Sequence, residues 1–99
     1  MSELIGPAAL ATALESLPLW NGSTTSLERT ITAPDFLTAV RVVDDVAVAA
    51  EQANHHPDID IRWRRVRFAL STHDAGGVTE KDLALARVID GIAAGHDAT

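Results

Sequence analysis

IDIRWRRVRFALST, residues 59–72, is the stretch whose reading decides the fold. Val66, Phe68 and Leu70 alternate with Arg65, Arg67 and Ala69, the period-two pattern of a strand with one buried face. Ile59, Ile61 and Trp63 alternate as well, but in the opposite phase. A bulge near Arg64, or two strands meeting there, reconciles the two phases. Upstream, Thr32-Ala33-Pro34-Asp35 is a helix-start signal. Thr32 serves as cap, Pro34 pre-sets φ in the first turn, Asp35 stands three residues on, and Ile31 with Phe36 forms a hydrophobic staple. The spacing predicts a helix to about Ala53, with Phe36, Val40, Val43, Ala47 and Ala50 along its buried stripe, ended by Asn54 and Pro57. Downstream, Asp74-Ala75-Gly76-Gly77 reads as a loop. The start signal then repeats, with Val78 as staple, Thr79 as cap, Asp82 three later and Leu83 opposite the staple. That helix is expected to reach roughly Ile92, and Gly95 to Thr99 to fray.

Farther upstream, residues 26–31 form a strand candidate with Leu27 and Ile31 on one face and Arg29 interrupting them. Trp20-Asn21-Gly22-Ser23 reads as a strand end entering a turn. Residues 7–16 form a short helix, with Pro7 at its start, Leu10, Leu14 and Leu17 toward the core, and Pro18 beyond its end. The order α-β-β-α-β-α lacks βαβ regularity. It predicts an α+β fold, a small antiparallel β-sheet with helices packed on one face. Such a sheet leaves its edges open, so pairing with a second copy is expected.

The 99 residues are read as one domain, 1–99. A hydrophobic fraction of 46% with 22% charged residues excludes a disordered tail, and no apolar run approaches the roughly 20 residues that span a bilayer. Met1-Ser2-Glu3 opens with an acid rather than a basic export signal, so a cytoplasmic protein is expected. The absence of cysteine excludes disulfides, thiolate catalysis and zinc–thiolate sites. Eight basic against fourteen acidic residues give a net charge of −6, which repels phosphate backbones and argues against nucleic-acid binding. Arg62, Arg64, Arg65 and Arg67 are a local exception. Strand alternation sets Arg62 and Arg64 against Arg65 and Arg67 unless a bulge realigns them, so the cluster reads as a solvated or partner-facing stripe.

Three histidines fall at element ends, His55 and His56 after the long helix and His73 after the long strand, while His96 lies in the tail. Each alone could cap helix-terminal carbonyls; three at ordered termini point to a site. Glu51 lies one helical turn before His55 and could orient that imidazole or stay an exposed carboxylate. Asp82 could complete the capping box, contact a substrate as an anion favoured by the helix dipole, or do both. Trp20 and Trp63 are open between core packing and ring stacking. No nucleophile elbow accompanies Ser71 and Thr72, and Gly76-Gly77 is too short to cradle a phosphate. A zinc site would have to draw on His55, His56 and His73, two of them adjacent, and is not expected. Proton transfer by groups titrating near neutrality is what this inventory suits, as in an elimination where one imidazole protonates a leaving hydroxyl and another removes a proton.

Glu51-Gln52-Ala53-Asn54-His55-His56-Pro57, then Trp63, then Ser71-Thr72-His73-Asp74-Ala75-Gly76-Gly77, then Asp82, closely resembles the signature of the pterin-4a-carbinolamine dehydratase family. The likeness extends from Trp20 to about Ile92. Trp63 stands where that family often has Tyr, Leu19 where Gly is common, and Arg62 and Arg64 where residues are often neutral. The resemblance implies dehydration of 4a-hydroxytetrahydrobiopterin, or a related 4a-hydroxytetrahydropterin, to the quinonoid dihydropterin. Catalysis would fall to His55, His56 and His73, with substrate contacts from Asn54, His55, His56, Ser71, Thr72 and His73. Glu51 would orient a histidine, Asp82 would hold a ring hydrogen or a neighbouring histidine, and Trp20 would wall the pocket. The pterin is then a substrate, and no metal or tightly held cofactor is implied. The resemblance further implies a homodimer or homotetramer serving aromatic amino-acid hydroxylases, with no nucleic-acid or membrane partner. The competing function is a non-catalytic dimerisation module, since mammalian relatives also act as dimerisation cofactors of a homeodomain transcription factor.

Overall fold

The computed structural model describes residues 3–99; Met1 and Ser2, which begin the stretch read as lacking an export signal, lie outside the described residues. The chain runs α1 (Pro7–Glu15), β1 (Asn21–Gly22), β2 (Leu27–Thr32), α2 (Phe36–Ala53), β3 (Asp58–Arg62), β4 (Arg65–Leu70), a 3-10 turn (His73–Ala75) and α3 (Glu80–Gly95). The four strands are antiparallel in the order β1-β2-β4-β3. This is the expected α+β architecture, with residues 59–72 resolved into two strands rather than one bulged strand. Among the described residues no helix is long and apolar enough to cross a membrane.

The phase reversal has a simple cause. Trp63 and Arg64 form a two-residue hairpin turn between β3 and β4, so Ile61 pairs with Val66 and Ile59 with Phe68, and all four stand on the helix side. The same turn sets Arg62 opposite Arg65, which shares the outer face with Arg67. The arginines therefore do not divide as strand alternation predicts: three share a face and Arg64 lies in the turn.

Leu27, Ile31, Val66, Phe68 and Leu70 of the sheet pack with Leu10 of α1, Ala39, Val42 and Val46 of α2, and Leu83, Ala86 and Ile89 of α3. The start of α2 differs from expectation. Pro34 disfavours helical backbone at Ala33, and Ala33 donates its N–H to Arg64 O, so Thr32 remains the last residue of β2. Asp35 is the cap instead, accepting from Thr38 N–H at 2.7 Å, and hydrogen bonds from Thr38 hold its carboxyl below the ordinary carboxylate range. The buried stripe of α2 is accordingly Ala39, Val42, Val46 and Ala50, whereas Phe36 is half exposed and makes no staple with Ile31. Valines occupy two adjacent faces of this helix. The face of Ala39, Val42, Val46 and Ala50 is the one turned to the core, and Val43 on the neighbouring face is only partly buried against it.

At the other end of the chain, the expected fraying does not occur. Ala98 is buried, Thr99 N–H donates to Thr32 O at 2.9 Å, and His96 pairs with Asp45. Arg29, the residue that interrupts the β2 pattern, is buried with its guanidinium 2.5 Å from Asp90 Oδ1. The same oxygen accepts the Trp20 indole N–H at 2.8 Å. Trp20 is thus a core residue whose polar edge is satisfied by α3.

Asp90→Ala removes the side-chain carboxylate paired with the buried Arg29 guanidinium, so it is expected to cost about 2–4 kcal/mol in urea unfolding, with Asp90→Asn costing less. A loss below about 0.5 kcal/mol for the alanine variant would mean that Arg29 is not held by this pair.

Candidate acid–base site

Three chain segments converge where the histidines lie. α2 ends at Asn54, whose left-handed backbone (φ 49°) lets His55 N–H close onto Ala50 O at 3.0 Å. The chain thereby turns out of the helix and delivers His55, His56 and Pro57 as a short extended segment into β3. The second segment follows β4. Thr72 N–H bonds Gly77 O at 2.8 Å, closing a small loop that carries His73 and turns at Gly76 (φ 82°). Gly77 is needed for a different reason, because a Cβ there would stand 2.5 Å from Thr24 O. The third segment is the first turn of α3, built on Thr79.

Asn54, His55, His56, Pro57, Asp58, Ser71, Thr72, His73, Asp74 and Lys81 line one hollow of about 430 Å³ between these segments. The three element-end histidines are therefore brought to one place. They differ in setting: His55 is buried, whereas His56 and His73 are exposed.

Asp82 is fully buried and bonds in three directions. Its Oδ2 accepts from Thr79 N–H at 2.9 Å and from Thr72 Oγ1 at 2.8 Å, and its Oδ1 lies 2.6 Å from His55 Nε2. Thr72 has a single hydroxyl proton, which goes to the carboxylate, so the 2.8 Å contact between the two threonine hydroxyls is donated by Thr79. Thr79 Oγ1 in turn accepts from Lys81 N–H at 3.2 Å. A carboxylate has only acceptors to offer, so His55 carries its proton on Nε2, and Nδ1 is the nitrogen left to exchange protons. Asp82 completes the capping box of α3, and of the two contacts that the resemblance implies for it, a ring hydrogen or a neighbouring histidine, it makes the one to His55.

Glu51 differs from expectation. Its carboxylate lies 2.7 Å from His56 Nε2 rather than against His55. The helical i, i+4 relation fails here because Asn54 has already left helical geometry. Trp20 does not wall this hollow; it is committed to the core and Asp90. Ser71 lines the hollow while its hydroxyl donates to Thr25 O at 2.9 Å, anchoring the segment to the β1–β2 loop. Pro57, Asp58, Asp74 and Lys81 also line it, although the sequence assigns none of them a site role. Their signal was adjacency: Pro57 and Asp74 each follow a histidine directly, Asp58 follows Pro57, and Lys81 immediately precedes Asp82. Among the described residues no three histidine or carboxylate side chains are grouped as a metal site.

The fold and hollow define a small α+β protein with an imidazole–carboxylate site suited to moving protons. Its sequence matches the profile of pterin 4 alpha carbinolamine dehydratases over residues 3–92. A Nocardia farcinica protein named pterin-4-alpha-carbinolamine dehydratase is 54% identical over 93% of this chain and 97% of its own length. A Thermosynechococcus vestitus protein of the same name is 45% identical over 94% and 98%. A Brucella melitensis structure described as a transcriptional coactivator/pterin dehydratase superposes with a TM-score of 0.86 at 32% identity, over 90% of this chain and 97% of that one. The chain belongs to the pterin 4 alpha carbinolamine dehydratase family.

Asp82→Ala is expected to cost about 2–4 kcal/mol in unfolding free energy, well above the roughly 1 kcal/mol typical of a lost cap, because His55, Thr72 and Thr79 all lose a buried acceptor. Nitrogen NMR of the wild type should report His55 protonated on Nε2. A proton on Nδ1, or an Asp82→Ala loss no greater than that of a simple cap, would contradict the network.

Proposed function

We propose that the chain dehydrates a 4a-hydroxytetrahydropterin, the 4a-hydroxytetrahydrobiopterin type, to the quinonoid dihydropterin and water. The convergence of His55, His56 and His73 on one hollow carries this reading. A protonated imidazole gives its proton to the 4a-hydroxyl, and the C4a–O bond breaks to release water. A neutral imidazole removes the proton from N5, and that electron pair forms the C4a=N5 double bond. One proton is delivered and one collected, so the pair is regenerated by proton exchange with water. Asp82 fixes the tautomer of His55, and Glu51 steadies His56 at the more open side. Asn54, Ser71 and Thr72 line the hollow as the remaining substrate contacts, and Asp82 reaches the pterin through His55.

The size of the task suits the site. General acid–base assistance contributes roughly 10²–10⁴-fold, and no further chemistry is asked of the protein. The pterin is the substrate, with no resident metal or cofactor in this reading, and the reaction would serve aromatic amino-acid hydroxylation. A homodimer or homotetramer is supported by β3, an open edge strand whose Ile59 and Ile61 are 37% and 39% exposed.

Steady-state dehydration should run well above the buffer rate with wild-type protein. His55→Ala, His56→Ala and His73→Ala should each lower kcat/KM by at least about tenfold, within the range of a lost acid or base. A wild-type rate equal to buffer removes the dehydratase reading, and full rates in all three variants move the chemistry away from these histidines.

A further inference from the structure

The arginine cluster is not used by the proton chemistry. At the far end of the β3–β4 hairpin from the imidazole hollow, Thr30, Asp60, Arg62, Trp63, Arg65 and Arg67 line a second hollow of about 330 Å³. It shares no lining residue with the first. It sits on the outer face of the sheet, where Arg67 stands between Thr30 and Asp60, and Arg62 directly opposes Arg65. Like charges in directly opposed strand positions destabilise a sheet. Two of these cations have local partners, Arg67 with Glu28 and Arg62 with Asp60 at 3.3 Å. Arg65 has no ionic or hydrogen-bonding side-chain partner among the described residues.

Trp63 is the second observation. Its indole is 70% exposed, at the first position of a two-residue hairpin turn, with φ 57°. Glycine is the residue that this position favours, so the tryptophan is kept there against both solvation and backbone preference. The ring is braced from one side. The Arg64 guanidinium lies 5.0 Å from its centroid and is itself anchored to Ala33 O at 3.3 Å.

We infer that this outer cup is a ligand site for a planar aromatic ring bearing one oxyanion group, with the ring against Trp63 and the oxyanion on Arg65. Counting the lining residues and their ion-pair partners, with Arg64 outside the lining, three guanidinium charges set against Asp60 and Glu28 leave a balance of one positive charge, in a chain of net charge −6. One oxyanion group neutralises that balance and relieves the opposition of Arg62 and Arg65. Arginine's planar fork matches both carboxylate and phosphate geometry, and an indole face recognises a ring irrespective of its identity. The two sources of this chemistry are an aromatic carboxylate and a nucleoside monophosphate.

Nitrogen–proton correlation spectra of the full chain, titrated separately with phenylacetate and adenosine monophosphate, test the site. Acetate and inorganic phosphate serve as ring-free controls. Saturable shifts are expected at the Trp63 indole and the Arg65 backbone, with the Trp20 indole unmoved. Saturation by phenylacetate identifies the carboxylate source and saturation by the nucleotide the phosphate source, while the ring-free anions should bind at least about tenfold more weakly. Arg65→Ala should weaken binding about tenfold. Trp63→Gly, which also relieves the positive φ and so keeps the fold, should weaken it by a similar factor. The inference is overturned if neither ring-bearing anion moves Trp63 up to about 10 mM, if ring-free anions bind equally well, or if Arg65→Ala binds unchanged.

Discussion

The carboxylate of Asp82 is the constraint on which the rest of the site depends. With two oxygens it joins the end of α2 through His55, the end of the β4 segment through Thr72, and the start of α3 through Thr79. Segments 27 and 10 residues apart in sequence from Asp82 are thereby held by hydrogen bonds of 2.6 and 2.8 Å in a fully buried setting. Buried polar networks of this kind are costly when incomplete, so the fold and the orientation of the histidine are specified by the same atoms. The acid that closes the capping box behind Thr79 is here also the group that faces the His55 Nε2.

That economy explains the division of labour among the histidines. His55 is buried and fixed, with its free nitrogen determined by what lies behind the other one. His56 is exposed and paired with an exposed glutamate, and exposed pairs of this kind contribute little to stability. His73 rides on a tight loop shaped by Gly76 and Gly77 rather than on a helix or strand. One buried, fixed imidazole and two exposed ones thus meet in one hollow, and the proposed elimination rests on that arrangement. The arginine-rich face lies at the opposite end of the hairpin and shares no lining residue with that hollow.

Much of this was legible in the residues. The Thr79–Asp82 capping box, the end of α2 at Ala53 and Asn54, and the alternation of Val66, Phe68 and Leu70 follow from local rules and appear in the structure as read. Some misreadings turned on how distant elements meet, and others on local backbone geometry at Pro34 and Asn54. Periodicity could not choose between adjacent valine faces of α2, and a proline shifted its cap from Thr32 to Asp35. Helical spacing offered Glu51 to His55, but a left-handed Asn54 handed it to His56. Arg29 looked like a flaw in β2 until Asp90, 61 residues later, supplied its partner. The C-terminal residues looked free because their anchor, Thr32 O, lies on a distant strand.

The convergence of three imidazoles on one bound ring is the central claim, and chemical-shift mapping of the histidine side chains addresses it most directly. With imidazole nitrogens labelled and a dihydropterin added, the signals of His55, His56 and His73 should move together along one saturation curve, while His96 stays in place beside Asp45. A dihydropterin that saturates while leaving any of the three unmoved, or that moves His96 instead, would contradict the account.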